Sequence, residues 1–320
     1  MKRWIGAFAT LAGMLAASTA GAQDYPSKPI KVIVPYAAGQ ATDVMCRVFL
    51  EQLKVDLGAT IVIENRVGAA SNVGAAEASK AAPDGYTLLC TGSATHVANP
   101  LIYSDMGFDP DTSLRPITGI ASTGYVIAGG ATMKGKSVTD LVAQAKAEPD
   151  KVRMGLVSTT ARVVNGMFSD AAGASFNIVP YAGGNQALFP DLIRGDIDVA
   201  IEAMPSSVGP ISGGQVLGLA VTLPERSPLI PDVPTLKESG VDLTLIGWNG
   251  FYAPAATPDD IVSKLNAAGG KALAHPDVAK RLETVASTPM PTTPEALSEL
   301  IQRDRAAWKP MVERYDLKVK

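Results

Sequence analysis

The segment Val32-Ile33-Val34-Pro35-Tyr36-Ala37-Ala38-Gly39-Gln40-Ala41-Thr42-Asp43-Val44 decides how this chain is read. Its three β-branched residues predict a buried strand, and Pro35-Tyr36 stops it. A turn of small residues follows and opens into a helix. Side chains as short as those of Ala37, Ala38 and Gly39 leave backbone N–H groups uncovered, and uncovered amides at a helix N-terminus attract an anion. Such turns also occur with nothing bound, so the rest of the chain has to decide.

The same pattern returns in the middle of the sequence. Residues 34–39 read VPYAAG and residues 179–184 read VPYAGG, followed by Gln40 in the first case and Asn185-Gln186 in the second. In open α/β sheets ligands lie beyond the carboxyl ends of strands. Two such ends facing each other across a hinge would enclose a small ligand. The alternative is common turn chemistry repeated by chance.

Strand-like runs alternate with helical stretches along the whole chain, which predicts an α/β architecture with largely parallel sheets. Strands are expected at Ile30–Val34, Ala59–Glu64 and Tyr86–Cys90, with helices over about 42–53 and 72–81. A second lobe is expected from residue 122. In it, Ser137-Val138-Thr139-Asp140 has capping-box form, and strands fall at Arg153–Val157, Asn177–Val179 and Ile197–Ile201. Val216–Thr222 is expected to carry the chain back, giving lobe 1 as residues 23–121 plus 219–320 and lobe 2 as 122–218. Thr257-Pro258 and Thr293-Pro294 read as N-caps with Pro at the first helical position.

The first 22 residues stand apart. Lys2-Arg3, an apolar run from Trp4 to Ala17 and Ala20-Gly21-Ala22 form an export signal with a small-x-small cleavage site. The apolar stretch is short for a membrane span. The mature protein is therefore expected to be soluble and exported. The whole chain carries 28 basic and 31 acidic residues. Without Lys2 and Arg3 the balance is 26 against 31, or −5. A mildly acidic chain without a Lys/Arg cluster is poorly suited to nucleic acid or an anionic membrane, although a local site can still take a small anion. Cys46 and Cys90 are the only cysteines. They could pair in an oxidising compartment. Because Cys46 sits within a helical segment and Cys90 ends a strand, two buried free thiols is the favoured reading. Nothing has metal-ligand spacing, and no cofactor motif is present.

Catalytic apparatus is sparse. His96, in the loop Thr91–His96, is the one candidate base, and no nucleophile elbow accompanies it. The cleft candidates are neutral donors: the amides around Ala38, Gly39, Gln40, Ala41 and Thr42, the hydroxyls of Ser93, Thr95, Ser158, Thr159 and Thr160, and the amides around Gly183 and Gly184. Thr42 reads equally as an N-cap, with Asp43 complementing the helix dipole in a structural role. Arg162 either reaches a second carboxylate bidentately or is a solvated surface residue. Glu202, at a strand end, would accept from a ligand amine or hydroxyl or from a neighbouring loop. Tyr36 and Tyr181 either wall the cleft or pack in the core.

At these residues the sequence resembles the Bug (TctC-type) receptors of tripartite tricarboxylate transporters. The resemblance rests on Tyr25-Pro26-Ser27-Lys28-Pro29-Ile30, Val34-Pro35-Tyr36, Glu64-Asn65-Arg66, Ala82-Pro83-Asp84-Gly85-Tyr86-Thr87-Leu88 and Thr95-His96-Val97-Ala98-Asn99-Pro100. It continues through Val179-Pro180-Tyr181, Pro205-Ser206, Leu219-Ala220-Val221-Thr222 and Pro231-Asp232-Val233-Pro234-Thr235. It implies a two-lobed periplasmic-binding fold of type II, with each lobe a mostly parallel sheet flanked by helices. It also implies a small organic carboxylate between the lobes, a mono- or dicarboxylate or an aromatic acid, and membrane transporter subunits as partners. Carried onto this chain, the ligand loops are Ala37–Thr42, Ser93-Ala94-Thr95-His96, Ser158-Thr159-Thr160-Ala161, Tyr181–Gly184 and Glu202. Gln40 stands where the family usually has a second glycine, Arg162 at a usual His, Ala182 at a usual Lys or Arg, and Glu202 at a usual Asp. The expected protein is a monomeric periplasmic receptor that is not an enzyme and needs no cofactor. The alternatives are an exported hydrolase or isomerase using His96, and a ligand-sensing partner of a membrane sensor kinase.

Overall fold

A computed structural model describes residues 25–181, 184–315 and 317–318. The export signal expected over residues 1–22 lies outside them. The opening Ile30–Val34 run forms β1, with Ile30, Val32, Ile33 and Val34 fully buried. It leads to α1 (Ala41–Leu57), whose Met45, Phe49, Leu50 and Leu53 recur at three- and four-residue spacing and face the sheet. Gly58 ends α1 in the left-handed conformation, its N–H returning to the carbonyls of Lys54 and Val55. Next come β2 (Ile61–Asn65), α2 (Asn72–Ser79), β3 (Thr87–Gly92) and the short α3 (Asn99–Ile102).

The chain then passes through β4 (Leu114–Thr123) directly into β5 (Tyr125–Gly129). The second lobe continues with α4 (Val138–Ala147), β6 (Arg153–Leu156), α5 (Thr159–Ala172), β7 (Asn177–Pro180), α6 (Asn185–Arg194), β8 (Val199–Ala203), α7 (Met204–Ser212) and β9 (Leu217–Val221). The return brings β10 (Gly247–Pro254), α8 (Asp259–Leu273), α9 (Pro276–Glu283), β11 (Ser287–Pro289) and α10 (Pro294–Arg314). The Ser137/Asp140 capping box is present at α4, and Thr293 caps α10 by accepting from the Ala296 N–H. At α8 the cap position is Pro258 rather than Thr257.

Two sheets result, with strand orders β11-β4-β10-β3-β1-β2 and β7-β6-β8-β5-β9. Parallel pairing holds among β1, β2 and β3 and among β6, β7 and β8. The expectation of mostly parallel sheets needs correction for the rest: β10 runs against β3 and β4, β11 against β4, and β5 against β8 and β9. The antiparallel strands include those on either side of the two crossings between sheets. The first crossing is Gly124, where a Cβ would lie 2.6 Å from Leu223, a residue of the returning segment. The return falls later than the expected residue 219. β9 is an edge strand of the second sheet, Val221 bridges to Thr235, and the Thr222 hydroxyl donates to the Leu245 carbonyl. Residues 222–246 thus stay with the second lobe, and the chain re-enters the first at Gly247.

Cys46 and Cys90 are joined in a disulfide, which corrects the reading of two free thiols. The helix α1 lies across β3, so the two Cα atoms come within 6.2 Å although 44 positions separate them in sequence. Neither side chain is exposed. Closing a loop of that length stabilises the fold by about 4 kcal/mol in the chain-entropy model. The Cys46→Ser/Cys90→Ser double variant is expected to lower the urea midpoint accordingly. A midpoint unchanged from the wild type would show that the bridge adds nothing.

Candidate functional site

A cavity of about 650 Å³ opens between the lobes. Its walls come from chain that follows the carboxyl ends of β1, β2 and β3 in one lobe and of β6, β7 and β8 in the other. The crossing strands close its base with Thr123, Tyr125, Gly247, Trp248 and Asn249.

Helix N-termini dominate this surface. Gln40, Ala41 and Thr42 start α1, and Ser71 precedes α2. Ser158, Thr159 and Thr160 start α5, Asn185 starts α6, and Ala203 precedes α7. Each helix leaves its first amides without intrahelical partners and carries a partial positive charge at that end. Arg162, one turn into α5 and partly buried, also lines the cavity.

The loop after β1 is held by a buried acid. Asp43 is 1 % exposed and accepts from the Gly39 N–H (2.9 Å), Arg47 Nε (2.8 Å) and Asn65 Nδ2 (2.8 Å). Arg47 in turn donates to Asn65 Oδ1, and Asn65 Nδ2 to the Tyr36 carbonyl. Burial by itself would raise the Asp43 pKa. The hydrogen bonds from Arg47, Asn65 and Gly39 outweigh it and hold the carboxyl below its usual range. The structural role expected for Asp43 matches this geometry. Thr42 is not the N-cap: that position is Gln40, without a side-chain cap, and Thr42 lies in the first turn facing the cavity.

The loop after β2 was not singled out in the sequence. Ala69, Ala70 and Ser71 have φ of 43°, 51° and 81°, consecutive left-handed conformations that each cost about 1 kcal/mol outside glycine. A polar frame holds them there. Asn99 Nδ2 donates to the Ala70 carbonyl and to Asn72 Oδ1, and the Ser71, Thr95 and Thr91 hydroxyls are linked at 2.8 and 2.6 Å. The available signal was a second run of small residues, Gly68-Ala69-Ala70-Ser71, after a strand end. The base residues from Trp248 and Asn249 were missed too, because strand β10 was not identified.

Among the expected site residues, Tyr36, Gln40, Ala41, Thr42, Ser93, Ala94, Ser158, Thr159, Thr160, Arg162, Tyr181 and Glu202 line the cavity. Ala38, Gly39, Thr95, His96, Ala161 and Gly184 do not, and Gly183 lies outside the described residues. Ala38 and Gly39 are exposed, and the Gly39 amide is turned to Asp43. Thr95 sits behind Ser71 in the polar frame, and the Ala161 N–H donates to the Ser158 cap. Gly184 faces Gln40: a Cβ there would lie 2.7 Å from Gln40 Nε2. Gln40 therefore spans from the first lobe toward the second, while its Oε1 accepts from the Ala37 N–H at 3.2 Å.

His96 is 1 % exposed and stacks on Tyr252 with ring centroids 4.2 Å apart. Burial lowers its pKa to about 4, so the ring is neutral at physiological pH. It is a packed ring away from the cavity and not the base that the sequence allowed. Glu202 behaves in the opposite sense. It is 6 % exposed, one oxygen accepts from the Ala203 N–H at 2.9 Å, and burial pushes its carboxyl up to about 7.

A family model described as tripartite tricarboxylate transporter family receptor matches residues 45–317. The chain belongs to this family. Protein BugT of Bordetella pertussis is 32 % identical over 320 residues, covering 99 % of this chain and 97 % of that protein. The structure of Rpa4515 from R. palustris with adipate has a TM-score of 0.86 at 28 % identity, covering 91 % of this chain and 98 % of its own. MatC from Rhodopseudomonas palustris with bound malate has a TM-score of 0.81 at 27 % identity, covering 90 % of this chain and all of its own, 100 %. The receptor thus has the two-lobed type II fold of periplasmic solute-binding proteins. Among its described residues no helix is long and apolar enough to cross a membrane.

Glu202 gives this receptor a testable pH signature. Its folded pKa lies above the ordinary carboxyl value of 4.5, so the folded state holds the proton more tightly. That stability is fully present below about pH 4.5 and is lost as pH rises through about 7. Glu202→Gln removes the titration. Its melting temperature is expected to exceed that of the wild type at pH 8, with the gap closing by pH 4. A pH-independent gap would mean that Glu202 does not titrate as its burial requires.

Proposed function

We propose that this receptor encloses a small organic carboxylate between its lobes in the periplasm and delivers it to the membrane subunits of a tripartite transporter. The observation that carries the reading is the meeting of the α1, α2, α5, α6 and α7 N-termini on one cavity. Their amides and dipoles suit a carboxylate without any fixed counter-charge. Arg162 on the same surface would take a second carboxylate through its guanidinium fork. The solved relatives holding adipate and malate support the same ligand class. Export by the signal at residues 1–22 supports the compartment, and a monomer suffices because both walls come from one chain.

The mechanism is hinge closure. The lobes are joined at Gly124 and again where the return segment meets Gly247, and a ligand touching both walls binds the closed form better than the open one. Differential affinity alone shifts the population toward closure. Binding without turnover is expected, since His96 is withdrawn into the core.

A thermal-shift screen of small carboxylates tests the reading. Saturating ligand at a hundredfold excess over Kd adds about 2.7 kcal/mol of apparent stability, and no shift with any carboxylate would overturn the proposal. Thr42→Glu places a negative charge in the first turn of α1, where an acid suits the helix dipole but repels an anion in the cavity. It is expected to keep the unfolding transition and to weaken carboxylate binding at least tenfold, an interaction of about 1.4 kcal/mol. Arg162→Ala is expected to weaken a dicarboxylate far more than a monocarboxylate in titration calorimetry. Equal losses would remove Arg162 from ligand recognition.

A further inference from the structure

The polar atoms left without partners around the cavity are unevenly distributed. Glu202 Oε2 and Asn185 Oδ1 are both enclosed and have no close hydrogen-bond partner among the described residues, while the Asn185 amide lies beside Glu202 and opposes the effect of burial on its carboxyl. Both are acceptors, both belong to the second lobe, and both residues line the cavity. The Glu202 side chain is more than nine-tenths buried, and its other oxygen is taken by the Ala203 N–H. On the opposite side stands Asn249 of β10, 2 % exposed, whose unpartnered atom is the donor Nδ2. Buried polar atoms are nearly always paired, and leaving one unmade costs about 1–3 kcal/mol. Vacant acceptors on one wall and a vacant donor on the base describe a ligand of matching polarity.

Resting on the carboxylate reading above, we infer that Glu202 and Asn185 form a subsite for a protonated amine, so that the preferred ligand is an amino-substituted carboxylate. A plain dicarboxylate would leave both acceptors unpaired and set a second negative charge beside Glu202. An ammonium group has three donors and a positive charge, and it supplies the counter-ion that Glu202 lacks. A hydroxyl answers one acceptor only. Arg162 on the same wall remains free for a distal carboxylate.

Protonation gives an independent readout. Glu202 lies near its midpoint at neutral pH, because burial has pushed it up to about 7. The ionisable groups around it on this wall are Tyr125 from β5, Arg162 from α5 and Tyr181 after β7. Burial raises both tyrosines further above neutrality. Glu202 is therefore the described group on this wall that titrates near pH 7. An ammonium beside it favours the ionised form and drives its proton into the buffer, whereas a carboxylate beside it draws a proton in.

The test is titration calorimetry at pH 7 in two buffers of different ionisation enthalpy. The probes are matched pairs: succinate and aspartate, glutarate and glutamate, adipate and 2-aminoadipate. The amino member of at least one pair is expected to bind at least tenfold more tightly, with net proton release. Glu202→Gln, nearly isosteric, should abolish that preference and the net proton release. If Glu202→Gln fails to fold, the sign of proton exchange in the wild type decides. Tighter binding of the unsubstituted acids, or proton uptake with the amino acids, would overturn the amine subsite and leave the carboxylate reading intact. Silence from all six with folded protein would overturn the amine subsite, and the wider carboxylate screen above would then decide the carboxylate reading.

Discussion

A helix leaves its first amides unpaired, and in this protein several helices bring that unmet demand to the same 650 Å³. The rest of the architecture follows from this requirement. Parallel β-α units put helix N-termini beyond the carboxyl ends of their strands, so β1 and β2 aim theirs from one lobe and β6, β7 and β8 from the other. A single lobe would leave those amides in water. Two lobes facing each other create an enclosed space in which backbone dipoles act with little screening.

Holding bare loops in place needs anchors outside the cavity, and the structure supplies one per loop. Asp43 ties the loop after β1 to Arg47 and Asn65, and so couples it to the end of β2. Asn99 and the Ser71–Thr95–Thr91 hydroxyl chain hold the left-handed segment after β2. Gly92 at the end of β3 is required by close approach, since a Cβ there would lie 3.1 Å from the Tyr36 hydroxyl and 3.3 Å from Thr42 Oγ1. The lining therefore stays small while rigidity comes from buried polar contacts behind it. The Cys46–Cys90 bridge adds a covalent tie between α1 and β3, which line the cavity at Ala41, Thr42, Met45 and Gly92.

The two walls are not electrically alike. The first lobe contributes neutral amides and hydroxyls, whereas the second contributes Arg162, Glu202 and Asn185. Gln40 is the first-lobe side chain that approaches the second-lobe loop at Gly184. Closure therefore brings a general anion cradle against a surface with directional demands.

Local chemistry was enough to read the α/β class, the helix that follows β1, the capping box at Ser137 and the structural acid at Asp43. Each of these depends on neighbours within a few positions. What depended on distant residues was not legible. Cys46 and Cys90 pair because α1 crosses β3, and spacing along the chain carries no trace of that crossing. His96 leaves the cavity because Tyr252, far along the chain, stacks on it, and Glu202 becomes a buried acid without a counter-charge because the second lobe packs around it. The left-handed run at residues 69–71 is tolerated only because Asn99 and Thr95 arrive to hold it. The sequence by itself determined the strands, the helix starts and the small side chains that expose amides, since these are short-range sterics. Only the tertiary structure decided which amides face the cavity, which acid is buried without a counter-charge and where the chain returns between lobes, since burial and long-range pairing exist only once the sheets are assembled.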